Sequence, residues 1–271
     1  MRKYILILSL ILIISGCKFG SKDDGWSLST EVENKITKKE GTITYFVDPQ
    51  MSIDDRNDII KKTTEYIKQN LTIIGESDDF NDPLYVVIAR DRAEMGGIAG
   101  LGGAKNRHPE LPENLVQCIP RVLKHELMHV MSQLRWGHRD IGHPQWLEEG
   151  LAVYAGPEAE PLPELTLEEK YAYFYKIEKL LTTDLLIIFP SVEDRVSRSI
   201  PYIQSGYIVQ FLIERYGIQK LKEFWVENSD FEKIYGMSFN DLIMEINKEI
   251  SQKYSDPVEL DWEKYCKEVA G

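Results

Sequence analysis

The sequence predicts an α+β protein with a mixed strand-and-helix half over residues 41–136, an all-helical half over 137–271, and one amphipathic helix at the seam. Three observations carry this. Strand-like runs occur early in the chain, helical caps and helical apolar spacing take over from Thr166, and Pro120 to Trp136 joins the last strand to a helix without a break.

Thr42 to Asp48 alternates like a half-buried strand and is stopped by Pro49. Ser52 and Asp55 form a loose cap for a helix whose apolar residues Ile59, Ile60, Tyr66, Ile67 and Leu71 recur at helical spacing. Leu84 to Ala89 is a continuous apolar run, the pattern of a central strand. The glycines from Gly96 to Gly103 are followed by no Gly-Lys-Ser/Thr, so they predict a loop or bulged strand rather than a phosphate cradle. Leu115 to Ile119 reads as a strand, able to pair with an extended substrate if it lies at a sheet edge, and Pro120 opens the seam helix. A helix follows at Trp146 to Tyr154. Thr166 with Glu169 caps another to about Leu181, and Pro201 opens one ending at Gly217. Further helices are expected at Ile218 to Glu227, Phe239 to Tyr254 and Val258 to Glu268, and the aromatic run Tyr171 to Tyr175 is expected to pack between helices.

With 271 residues and 43% hydrophobic content, the chain can bury one sizeable core or two small lobes. Net charge is −12, and −14 without Arg2 and Lys3, which argues against nucleic acid as a partner. The start has a cationic Met1-Arg2-Lys3, an apolar stretch from Tyr4 to Ile14, and small residues before Cys17, the form of a secretory signal over residues 1–16. Ile14-Ser15-Gly16-Cys17 resembles a bacterial lipobox. That resemblance implies cleavage before Cys17, lipidation of its thiol, a polar tether over residues 17–40 and a lipid-anchored monomer on the exported side of a bacterial envelope. Cys118 and Cys266 can be a disulfide or two free thiols.

The chemistry is concentrated in His125-Glu126-Leu127-Met128-His129. Residues four apart share a helix face, so the two imidazoles can grip one zinc ion, while Glu126, turned about 100° away, suits a general base. Two histidines leave a catalytic zinc one protein ligand short. Ser132 and Arg135 stand where a metzincin would need glycine and histidine, which excludes that arrangement.

Trp146-Leu147-Glu148-Glu149-Gly150-Leu151-Ala152 resembles the glutamate helix of gluzincins, the thermolysin-like and aminopeptidase-like metallopeptidases. The resemblance implies that Glu149 completes a Zn²⁺ site with His125 and His129, and leaves Glu148 to solvent or outer contacts. Pro201-Tyr202-Ile203-Gln204-Ser205 is similar to the segment that gives aminopeptidase-like gluzincins a tyrosine hydroxyl for the tetrahedral intermediate, which implies that role for Tyr202, with Tyr207 close by. Taken together, residues 40–250 resemble the small bacterial peptidases called peptidase MA-like, implying a zincin-like fold and hydrolysis of peptide or protein substrates. The Gly-x-Met-x-Asn element of aminopeptidases is missing, which favours an endopeptidase. The alternatives are a zincin-fold surface lipoprotein that binds or assembles without catalysis, and an enzyme for another amide such as a cell-wall peptide. His108, His138 and His143 are expected at the surface.

Overall fold

The structure, a computed structural model, describes residues 27–28, 35–76, 79–91, 102–105, 114–137, 144–189, 195–227, 230–256 and 259–270. Strand β1 (Ser27–Leu28) pairs with β2 (Ile36–Glu40), which returns as β3 (Ile43–Val47) through a tight turn with Gly41 at φ +59°. That positive φ is open to glycine without a steric cost. Strand β2 lies where the sequence predicted tether, so the tether's end at residue 40 is corrected. Its Ile-Thr-Lys-Lys-Glu buries only Ile36 fully, so it lacks the apolar alternation that marks a strand facing a core.

Helix α1 (Ile53–Ile73) begins where Ser52 Oγ accepts the Asp55 N–H at 3.1 Å, and crosses over to β4 (Leu84–Ile88), which lies parallel to β3. β5 (Gly102–Lys105) and β6 (Asn114–Cys118) complete a six-stranded mixed sheet in the order β1-β2-β3-β4-β6-β5. β6 is therefore an interior strand, parallel to β4 and antiparallel to β5, so the condition for pairing a substrate on it is not met, and among the described residues β5 is the outer strand on that side. Residues 96–101, the rest of the glycine run, lie outside the described residues.

From β6 a single 3₁₀ turn, Pro120–Val122, leads into α2 (Leu123–Trp136). The helical half contains α3 (Gln145–Ala155), α4 (Leu167–Lys176), α5 (Thr183–Ile188), α6 (Arg195–Tyr216), α7 (Ile218–Val226), α8 (Phe231–Tyr235), α9 (Phe239–Lys253) and α10 (Trp262–Ala270). The Thr166/Glu169 capping box is present, but α4 stops at Lys176, short of Leu181. Pro201 does not open α6; the helix runs through it. Proline there removes the N–H that would bond the Ser197 carbonyl, while Ser199 Oγ donates to the Val196 carbonyl at 2.7 Å one turn from it. Cys118 and Cys266 are free thiols. Among the described residues no helix is long and apolar enough to cross a membrane.

The layout is α+β, with α2 between the halves: it packs on β5, β6 and α1 on one side and on α3 on the other. The tightest helix packing is between α3 and α6. A Cβ on Gly150 would sit 2.6 Å from the Ser205 carbonyl oxygen, and one on Gly206 would sit 2.5 Å from Val153 Cγ1. Backbone cannot yield as a side-chain tip can, so Gly150→Ala is expected to lose more by overpacking, about 1–3 kcal/mol, than the roughly 1 kcal/mol alanine gains in helix propensity. Urea unfolding of the variant should show a lower midpoint; an unchanged or raised midpoint would refute this account of the glycine.

Candidate metal centre

The seam helix is fixed before its polar face is considered. Leu123, Leu127, Met128, Val130 and Met131 are buried in the core, and Asn70 Nδ2 of α1 donates to the Lys124 carbonyl at 3.0 Å. This leaves His125, Glu126 and His129 turned towards the helical half, with His125 and Glu126 8% and 7% exposed. The turn after α3 presses on the same place: a Cβ on Gly156 would lie 3.2 Å from the His125 amide nitrogen.

His125 Nε2 and His129 Nε2 are 3.2 Å apart, and Glu149 Oε2, delivered by α3, is 3.3 Å from the first and 3.4 Å from the second. The three atoms form a nearly equilateral triangle. A tetrahedral cation with bonds of about 2.0–2.1 Å to nitrogen and oxygen holds its ligand atoms about 3.3 Å apart, so the side chains are spaced as one small cation requires. Among the described residues, His125, His129 and Glu149 are the one group of such donors with suitable separation. No family model and no curated protein matches the chain.

Electrostatics divides the two carboxylates. Burial works against the charge of Glu149, but the histidines outweigh it, His129 foremost, and hold its pKa far below the usual carboxylate range. Burial also works against a charge on His129, yet the Glu149 carboxylate wins and pushes that imidazole up to about 9. Glu126 goes the other way: burial raises its pKa, tempered by His125 and His129, while Glu149 adds to the rise.

Tyr202, on α6, packs its ring edge-on against Phe189 with centroids 5.2 Å apart. Burial raises its pKa well beyond that of free phenol, and the neighbouring carboxylates of Glu149, Glu160 and Glu126 add to this. The hydroxyl is thus in the field of the same cluster. Tyr207 is engaged elsewhere, its ring tilted 48° against that of Tyr171 with centroids 4.8 Å apart and its hydroxyl donating to Glu168 at 3.4 Å. Tyr171 is fully buried and donates to Asn247 Oδ1 at 2.8 Å, a packing role as expected. His108, His138 and His143 fall outside the described residues.

Sequence reasoning did not single out Glu160, which is half-buried and whose pKa burial raises, or Lys170, which is buried completely. Neither stands at a fixed spacing from the histidine motif. The only hint was that Lys170 falls at helical spacing with Leu167 and Phe174 on the buried face of α4.

The shifts set a sign for metal-free protein. His129 is raised in the folded state, so its contribution to stability is full below its ordinary pKa of about 6.5 and is lost as pH rises through about 9. In protein stripped of divalent cations, the melting temperature should fall between pH 6.5 and 9, and Glu149→Gln should flatten that slope. An equally steep slope in the variant would disprove the pairing.

Proposed function

We propose that this chain is a zinc-dependent peptidase of the gluzincin type, peptidase MA-like in its zincin fold, that cuts internal peptide bonds. In this reading a lipid on Cys17 holds it to the exported side of a bacterial envelope. The observation that carries the proposal is the donor triangle with a free-standing carboxylate beside it. Two imidazoles and one carboxylate are the donor set that suits zinc, and three protein ligands rather than four are what a hydrolytic site needs.

When bound, Zn²⁺ supplies a Lewis acid that lowers the pKa of water from about 15.7 towards about 7 and polarises a carbonyl. The chain's residues do the remainder. His125, His129 and Glu149 hold the ion, and the mutual ion pairing of His129 and Glu149 fixes their positions beforehand. Glu126 is not part of the triangle; its raised pKa makes it a stronger base than an exposed carboxylate, able to take a proton from the attacking water and pass it to the departing nitrogen. Tyr202 stays protonated because its pKa is raised, so its hydroxyl can donate to the oxyanion that develops on the substrate carbonyl. Among the described residues β5 is the outer strand of the sheet beside α2, where an extended substrate would pair backbone to backbone.

Purified protein should hydrolyse unfolded polypeptide and lose that activity to a chelator. Glu126→Gln should retain one zinc per chain while the rate falls by about 10²–10⁴-fold. Wild-type turnover in that variant would sink the assignment of the base. Tyr202→Phe should lower kcat by roughly 10²–10³-fold with little change in KM, and a change confined to KM would move Tyr202 from oxyanion contact to substrate packing.

A further inference from the structure

A cleft of about 470 Å³ lies between α4, the start of α5 and α9, and includes none of the metal donors. Its size falls in the roughly 300–1,000 Å³ range of ligand sites. Hydrogen bonds set its shape from within. Gln204 of α6, 1% exposed, accepts the Leu181 N–H at 2.9 Å and donates to the Leu181 carbonyl at 3.0 Å. Tyr171 donates to Asn247 Oδ1 at 2.8 Å and Thr183 to Asn240 Oδ1 at 3.0 Å, which ties α4 and α5 to α9. The lining is apolar at Tyr175, Leu180 and Met244 and acidic at Glu178 and Asp184, and it holds no lysine or arginine among the described residues. No ion pair joins either carboxylate among the described residues. A wall of this kind complements a cation that carries apolar surface.

Helix α5 runs from this cleft to the candidate centre. Thr183 and Asp184 line the cleft at one end, and at the other Phe189, directly after the helix, packs edge-on against Tyr202. Along the way Leu186 is buried, whereas Leu185, Ile187 and Ile188 are 44%, 49% and 70% exposed. Contiguous exposed aliphatic surface marks a place of contact. The six residues of α5 cover about 9 Å at 1.5 Å each, a span that about three extended residues bridge.

We propose that the exposed face of α5 and the adjoining cleft form a docking surface for the polypeptide substrate. Aliphatic side chains of an unfolded segment lie on Leu185, Ile187 and Ile188, and a lysine or arginine enters the cleft beside Glu178 and Asp184. This deepens the peptidase reading and rests on it. None of these residues belongs to the donor triangle or its base.

The test uses full-length Glu126→Gln protein, so that binding is read apart from hydrolysis, and fluorescein-labelled decapeptides of leucine, alanine and serine that carry one lysine, glutamine or glutamate. Fluorescence anisotropy should rank lysine over glutamine over glutamate. Glu178→Gln and Asp184→Asn, each added to that background, should weaken binding of the lysine peptide by about 2- to 5-fold and leave the glutamine peptide unchanged. Ile188→Ser should weaken both by about 3- to 10-fold. All three side chains are exposed, so the fold is retained. With the wild type, a lysine about three or more residues from the bond cut should lower KM and leave kcat unchanged. Equal affinity for the three peptides, or undiminished lysine binding in the Glu178/Asp184 double variant, overturns the proposal. So does a dimer in sedimentation velocity that Ile188→Ser dissociates, which would give the face to a second copy of the chain. Charge-ranked binding without hydrolysis of any peptide by the wild type sinks the peptidase reading, whereas hydrolysis without the ranking sinks the docking surface alone.

Discussion

The close approach of α3 to its neighbours is the constraint on which the rest depends. Glu149 can reach between two imidazoles on another helix only if the α3 backbone lies nearly against α6 and the turn after it lies on α2. Gly150, Gly206 and Gly156 stand at those approaches, each where a methyl group would meet an atom at 3.2 Å or less. A helix interior normally loses stability at glycine; here the loss is offset by packing that no larger residue permits. The glycine following Glu149 in the sequence is thus part of the same device as the carboxylate. It lets α3 settle onto Ser205 and Val209 of α6, the helix that also carries Tyr202.

That packing then divides the acids by environment. Glu149 meets two imidazoles and is held ionised, whereas Glu126, next to His125 in sequence, stands off the triangle in a drier place that favours its neutral form. Two carboxylates with pKa values pushed apart in one cleft are the usual mark of a ligand and a base with separate duties. Helix geometry turns Glu126 about 100° from its neighbour His125, and the packing of α3 brings Glu149 to the imidazoles instead.

Those parts of the site that obey a fixed spacing were legible in the sequence. His125 and His129 are four apart on one helix, so local rules placed both, whereas Glu149 was reached through the resemblance of its segment, glycine included, to a known glutamate helix. The two halves were legible too, because strand and helix periods differ. What escaped was set by tertiary context. β2 hid because Lys38 and Lys39 break the apolar alternation of a strand whose neighbour on one side is only the two-residue β1. The start of α6 was misread because proline marks helix openings by its missing N–H, while here a serine hydroxyl bonds a carbonyl in the turn before it. α5 is only six residues long, too short for a period to show. Lys170 is a charged residue inside the protein, against the rule by which lysine is placed outside.

A site at the seam of two halves raises the question of whether the halves move. The core argues that they do not. One apolar cluster runs from Ile36 of β2 through Leu127 and Met128 of α2 and Leu147 and Leu151 of α3 to Ile246 and Ile250 of α9. Opening the seam would expose that cluster to water at about 25 cal/mol for each Å² of apolar surface, so the two imidazoles and the carboxylate are held at their working separations by the fold. Donors held in this way require little rearrangement when charge develops beside them, which is the condition under which such groups are most effective.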